Sequence, residues 1–383
     1  VLVNERLIDP GDWTGPGGAI QILARSDLDV AVLETARGGL VLRGMGYESN
    51  EASVFTNVSA DHLDLQGIHT LPELAEVKAT VCRITRPDGL VVLNADDPLV
   101  AAVARRVHAR VAYFSMEPGA APVLARHRRA GGLAWVLDGG RLVEWDGAAT
   151  HDLLDVADLP VALGGLARHN VANALAAAGG ARALGATREQ VADGLRDFRP
   201  SATLSPGRLN VFRLGARTVI VDFAHNEAGT EAILDVAAAI AGGAAGGPAP
   251  VTAIIGTAGD RPDDTLRGIG RIAAERADRV VLKETIAYLR GRDRADVIRV
   301  LREGLAEGGA DPVAIPMHET EVGALAAELA GPDVPGVVVL FCHQDRDDIF
   351  ALLARLGAEA VDAASELRAL APRAAAQRGR RSP

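Results

Sequence analysis

The feature that most constrains this 383-residue chain is a recurring unit: a short β-branched run that stops on a polar residue, then a helical pattern. Val30–Leu33, Ser53–Asn57, Leu90–Leu93 and Val111–Phe114 have this form in the first half, with helical segments near Leu71–Ile84 and Pro98–Val107. Thr218–Asp222, Val251–Ile255, Arg279–Leu282 and Val337–Phe341 repeat it in the second half. There the intervening helices are expected near Ala228–Ala241, Arg267–Ala277, Ala295–Leu305 and Ile349–Leu356. Strands separated by helices pair in parallel, and runs apolar on both faces need cover on both faces. The expected class is α/β with mainly parallel sheets.

Two stretches break the rhythm. From Pro122 to Pro160, short alternating segments such as Leu133–Leu137 and Arg141–Trp145 are joined by Gly-Gly and Asp-Gly turns, which predicts a small antiparallel insert. Helices are expected next, at Ala167–Leu184 and Thr187–Asp197. Pro200, Pro206 and Gly207 then interrupt the pattern and mark a boundary. The division expected is 1–199, 200–370 and a basic, Pro/Ala-rich disordered tail at 371–383. The opening on Val1, in what reads as mid-domain sequence, is taken as a truncation edge.

Composition narrows the function classes. The formal net charge is -10 and aromatics make up 3%, so there is no basic stripe with stacking residues, and nucleic acid is not expected as a partner. The two cysteines, Cys82 and Cys342, each sit inside an apolar run and read as core residues of a reducing compartment. No run of 18 apolar residues and no signal-peptide layout occurs, so a cytoplasmic protein without a membrane span is expected.

The candidate chemistry lies where strands stop, because ligands of open α/β sheets bind beyond the carboxyl ends of the strands. Val30-Ala-Val-Leu-Glu-Thr-Ala-Arg-Gly-Gly ends a strand on Glu34, either as a metal or phosphate ligand or as a partner of Arg37. Asn57, Asp61, His62 and Asp64 follow the next strand. Oxygen donors and an imidazole there suit Mg²⁺, while helix capping by Asp61 is the plainer alternative. Lys78 reads as a mid-helix surface residue, and Asp96 or Asp97 as the cap of a helix starting at Pro98. Asn170 and Asn173, three apart, share a helix face and could read a purine edge, or Asn170 is a cap. Asp222 ends another strand, with His225 and Asn226 just beyond it; Arg208 lies at the boundary, in reach of phosphates. Gly259-Asp-Arg and Leu289-Arg-Gly-Arg-Asp add polar strand-end loops, in which Arg290 and Arg292 either bind a carboxylate or phosphate or are ordinary surface charge.

In order, Thr56-Asn with Asp61-His62, Asn94-Ala-Asp-Asp-Pro, His169-Asn170 with Asn173, Pro206-Gly-Arg and Asp222-Phe-Ala-His-Asn resemble the Mur ligase superfamily. Gly11-Asp-Trp-Thr-Gly-Pro and Glu34-Thr-Ala-Arg-Gly-Gly are similar to its cyanophycin-synthetase branch. The resemblance covers roughly residues 1–360. It implies a central Mur-type domain (mostly parallel sheet flanked by helices, with the antiparallel insert) and a C-terminal Rossmann-like α/β domain. It also implies an ATP-dependent acid–amino-acid ligase that forms an acyl phosphate and then an amide. In that branch arginine is joined to an aspartate β-carboxylate. By matched position, Glu34, His62 and Lys78 would serve Mg²⁺, Lys78 through carbamylation. Asn170 and Asn173 would hold adenine, Arg208 phosphate and Asp222 ribose, while Lys78, His225 and Asn226 would be catalytic. Partners would be small molecules or peptides, such as arginine and an aspartyl acceptor, with no membrane and with homo-oligomers allowed. No Gly-x-x-x-x-Gly-Lys-Ser/Thr loop occurs, and the family places it before the equivalent of Val1. Two alternatives stay open: a free-standing ligase for another amino acid or peptide, and a nucleotide-binding subunit without catalysis.

Overall fold

The computed structural model describes residues 1–4, 6–11, 13–59, 66–243 and 247–370. The chain forms two compact units, Val1–Leu153 with Ala172–Val191, and Leu154–Val171 with Ala192–Pro383. The basic segment 371–383 lies outside the described residues.

In the first unit, β1 (Leu2–Val3) and β2 (Arg6–Leu7) form a small antiparallel pair. A six-stranded sheet follows in chain order: β3 (Asn50–Phe55), β4 (Thr85–Asn94), β5 (Arg110–Ser115), β6 (Leu133–Asp138), β7 (Arg141–Asp146) and β8 (Ala149–Asp155). The first four strands are parallel, with Val54 opposite Val92 and Leu93 opposite Tyr113; β6 and β7 form an antiparallel hairpin. The expected insert is therefore present, preceded by a helix, Pro122–Arg129, that the turn-rich sequence hid. One sheet face buries Val91, Leu93 and Tyr113 together with Cys82, Val100 and Leu124 from the flanking helices. On the other face, an alanine Cβ at Gly179 of the helix Arg168–Ala183 would stand 2.7 Å from Val92 and 2.9 Å from Trp135. A small residue there lets the helix lie close on the strands.

The strand expected at Val30–Leu33 is not formed. These residues run as irregular chain, and Val32 is 90% exposed. A β-branched run becomes a strand only when a neighbour takes its backbone hydrogen bonds, and no described strand lies beside this one.

The second unit holds a seven-stranded sheet of β9 (Asn210–Leu214), β10 (Arg217–Asp222), β11 (Val251–Ile255), β12 (Arg279–Lys283), β13 (Met317–His318), β14 (Gly336–Phe341) and β15 (Glu359–Ala360). Its order is β13-β12-β11-β14-β10-β9-β15, parallel from β13 to β10 and antiparallel at the β9 edge. Successive residues point to opposite faces. Ile220, Ala253, Ile255, Val339 and Phe341 pack under the helices Glu227–Gly242, Asp263–Arg276 and Arg294–Glu307. Val219, Val221, Ile254, Val338 and Leu340 pack under Glu321–Leu329 and Arg346–Arg355. Covering both faces explains why these strands read as unbroken apolar runs. The return of the chain to β14, between β11 and β10, makes the switch point beyond which α/β sheets place ligands.

Candidate active site

The second unit gathers four of the expected residues at the carboxyl end of β10. Asp222 ends that strand, and its Oδ2 accepts the backbone N–H of Leu209 at 2.8 Å. Burial pushes the Asp222 carboxyl above its ordinary range, opposed by that N–H and by the charges of Arg208 and His169. Arg208 lays its guanidinium over the Phe223 ring, 4.8 Å from the centroid, in a cation–π contact that leaves the charge solvent-facing. His225 turns its Nδ1 to the Phe223 carbonyl at 3.0 Å, so that nitrogen carries the proton. Asn226 is the N-cap of Glu227–Gly242, its Oδ1 accepting from Gly229 N at 2.8 Å. The strand end thus offers a carboxylate, a cation and an imidazole around the start of a sixteen-residue helix. Such an arrangement suits a polyanion, whose charge the cation and the helix N-terminus stabilise.

The remaining expected residues are not gathered in this way. Glu34 is exposed on the irregular segment before the helix Arg37–Arg43. His62, with Asp61 and Asp64, lies outside the described residues. Lys78 is not mid-helix: it is the last residue of the helix Leu71–Lys78, where Ala79 starts a break before the short helix Thr80–Arg83. Among the described residues no group of three His, Cys, Asp or Glu is placed to hold a metal ion. Asn170 donates its amide to the Val161 carbonyl at 2.8 Å, bracing the turn Pro160–Ala162. Asn173, one turn along the same helix, is exposed.

Asn94-Ala-Asp-Asp-Pro has a full structural account. Asn94 Nδ2 donates to Thr56 O at 2.8 Å, and Asp96 accepts from Ser115 Oγ at 2.5 Å, tying β4 to both neighbours. Asp97 caps the following helix, accepting from Leu99 N at 2.9 Å and Val100 N at 3.2 Å. Arg292 is an ion-pair residue, 2.6 Å from both Asp263 and Asp296. Arg290 stacks on Tyr288. Cys82 and Cys342 are buried free thiols, and burial raises the first to about 11.

The profile of the Mur ligase middle domain matches residues 16–181, and that of the Mur ligase glutamate ligase domain matches 207–342. The chain belongs to the Mur ligase family. It is 39% identical over 343 residues to the cyanophycin synthetase of Crocosphaera subtropica, covering 89% of this chain and 38% of that protein. It is 38% identical over 344 residues to the Synechocystis cyanophycin synthetase, with the same two shares. The chain thus spans well under half the length of these relatives. A crystal structure of a bifunctional folylpolyglutamate synthase/dihydrofolate synthase with Mn, AMPPNP and L-glutamate bound has the same fold. There the TM-score is 0.61 at 20% identity, covering 87% of this chain and 69% of that one. The strand-end cluster at Asp222–Asn226 falls within the glutamate ligase match.

Sequence reasoning missed a second group in this Mur ligase chain. Lys283 ends β12, Glu321 starts the helix Glu321–Leu329, and His343 follows β14. Lys283 and Glu321 are wholly buried and their charged groups are 2.5 Å apart. The signal was the one used elsewhere: apolar strands stopping on Lys283-Glu284 and Cys342-His343.

Among the described residues no helix is long and apolar enough to cross a membrane.

Proposed function

We propose that this chain is the ligase portion of a cyanophycin-synthetase-type enzyme, in which ATP drives amide formation between a carboxylate and an amine. A carboxylate oxygen of the acceptor attacks the γ-phosphorus and ADP leaves. The amine nitrogen then attacks the acyl carbon, phosphate leaves, and the nitrogen gives up a proton. By this reading residues 1–199 are the ATP-binding domain, 200–370 the C-terminal domain and 371–383 a tail. The protein is cytoplasmic, takes arginine and an aspartyl peptide, and binds neither nucleic acid nor membrane; homo-oligomers are compatible with it. The observation that carries it is the convergence of Arg208, Asp222, His225 and Asn226 on one strand end, in a chain 39% identical to cyanophycin synthetase.

Within this reading, Arg208 binds phosphate oxygens, Asp222 accepts from a ribose hydroxyl, and Asn170 with Asn173 lines adenine. His225 acts as a proton acceptor at the reacting groups through Nε2, the ring nitrogen turned away from the Phe223 carbonyl, and Asn226 fixes the loop by its cap. Mg²⁺, when bound by Glu34, His62 and the carbamate of Lys78, would neutralise phosphate charge. These three are ligands by matched position; the described residues bring no metal cluster together.

The test is ATP-dependent phosphate release by the full-length natural protein carrying this sequence, with arginine, lysine and aspartyl-peptide acceptors. Arginine with an aspartyl peptide is expected to be fastest. Arg208→Ala and Asp222→Asn are expected to lose about tenfold or more in kcat/KM, as removal of a charge-assisted contact does. Release that needs neither amine nor acceptor, or that ignores both substitutions, would refute the assignment.

A further inference from the structure

The buried group behind the site is hydrogen-bonded in a way that leaves it one arrangement. Lys283 Nζ has three N–H donors and three acceptors around it: Glu321 Oε1 at 2.5 Å, His343 Nδ1 at 2.8 Å and Thr285 Oγ1 at 3.1 Å. Because Lys283 donates to His343 Nδ1, that ring is neutral and carries its proton on Nε2. Nε2 in turn donates to the carbonyl of Ala224 at 3.0 Å. Glu321 also accepts the backbone N–H groups of His343 at 2.7 Å, Gln344 at 3.2 Å and Asp345 at 3.0 Å, and the Cys342 thiol at 3.3 Å. The Lys283 stem passes over Gly256, where a Cβ would meet its Cδ and Cε at 3.0 Å. Phe223 closes the group from above, its ring 5.0 Å from that of His343.

Ala224 lies in the Asp222–Asn226 strand end, between the carboxylate and the imidazole of the candidate site. The chain of bonds Glu321–Lys283–His343–Ala224 therefore joins the ends of β12 and β14 to the loop that carries His225. A charged pair this deep costs much desolvation and contributes little net stability over an apolar packing, so its presence calls for another reason. We propose that Lys283, Glu321 and His343 are positioning residues: they set the Ala224 carbonyl, and through it His225 and Asn226, for the reaction. Lys283 acts through His343 and touches no substrate. This inference rests on the proposed ligase function, but its spectroscopic arm does not.

The experiment uses Lys283→Met, which keeps the stem and removes the donors, and two substitutions of His343. In the unmodified protein, ¹⁵N NMR of the imidazole should show a neutral ring with Nδ1 unprotonated. In Lys283→Met the donor to Nδ1 is gone while Glu321 Oε1 remains 3.8 Å away, so Nδ1 should become protonated. kcat should fall about 10–100-fold, the usual effect of losing a supporting contact behind a site. His343→Gln keeps a donor near the Nε2 position and should retain more of kcat than His343→Ala, at matched thermal stability. If Lys283→Met does not fold, the Gln and Ala pair decides the question. A protonated Nδ1 in the unmodified protein, an unchanged ring in folded Lys283→Met, or equal kcat for Gln and Ala would overturn the proposal. If the unmodified protein shows no ATP-driven turnover, the ligase reading fails while the ring signals still test the bond chain.

Discussion

Glu144 gives the sharpest stability prediction. Its carboxylate, on β7, is wholly buried and accepts from Trp135 Nε1 at 3.0 Å, Arg182 Nε at 2.9 Å and Arg188 Nε at 2.8 Å. Burial raises its pKa, but the two guanidinium groups and the indole N–H outweigh this and hold it below the ordinary value of 4.5. Replacing Glu144 with Ala orphans the buried indole N–H, at about 1–3 kcal/mol. The arginine side chains keep 26% and 34% exposure and can turn to water, so each lost ion pair adds only about 0–1 kcal/mol. The expected total is ~2–4 kcal/mol, and removing the donor by Trp135→Phe should return about 1 kcal/mol of it in a double-mutant cycle. Urea unfolding followed by tryptophan fluorescence suits the measurement, since Trp135 and Trp145 sit on the β6–β7 hairpin. The midpoint should fall by about 1–2 M. Since the folded pKa is depressed, the stabilisation is present above about pH 4.5 and fades as pH falls through the folded value, so the difference between the proteins should shrink in acid. A loss under about 1 kcal/mol, or strict additivity with Trp135→Phe, would show that the indole is satisfied without Glu144 and refute the reasoning.

Three further outcomes follow from single observations. Asp222 has a raised folded pKa, so its ionisation costs stability that is regained only as pH falls toward 3.8; Asp222→Asn should raise the thermal midpoint at neutral pH, with a gap closing in acid, while lowering turnover. A midpoint unchanged at both pH values would count against the burial of that carboxylate. Gly304, on the helix Arg294–Glu307, meets the Arg267 carbonyl of the neighbouring helix so closely that Gly304→Ala must part the two helices. Calorimetry should find a loss of about 1–3 kcal/mol, whereas Gly309→Ala would report only the strain of its positive φ. Asp97→Ala removes a cap and the acceptor of Val58 N at 2.8 Å, and should cost about 1–2 kcal/mol in chemical denaturation, while Asp97→Asn, left with one acceptor oxygen for the two roles, should recover only part of that loss.

The sheets were legible because burial on both faces writes long apolar runs into sequence. Val251–Ile255 was expected with its observed bounds, and the strand expected to end on Asp222 does so. What stayed hidden has little apolar pattern. β13 and β15 are two residues long, and the helix Pro122–Arg129 carries four basic residues in its last turn and buries only Leu124. The error at Val30–Leu33 has the opposite cause. The run has strand composition, but strand formation is a property of a pair, and composition says nothing about whether the partner is there.

Legibility of the site divides along the same line. Arg208, Asp222, His225 and Asn226 are close in sequence around one strand end, so a local motif brings them together almost by itself. Asn226 also illustrates the limit: its side chain caps a helix, so the same residue type at the same place serves structure whether or not it serves chemistry. The Lys283 group needs two strand ends and a helix to meet, from positions 283, 321 and 343, with no local spacing to announce it. A strand-end rule applied evenly would still have marked two of its members, since β12 stops on Lys283 and β14 runs into Cys342-His343. Glu321 carries no such mark: it is the first residue of a helix, where acids are common for the macrodipole alone. Its lack of solvent exposure and its acceptance of three successive backbone N–H groups are what separate it from an ordinary helix-start acid. That distinction exists only in three dimensions.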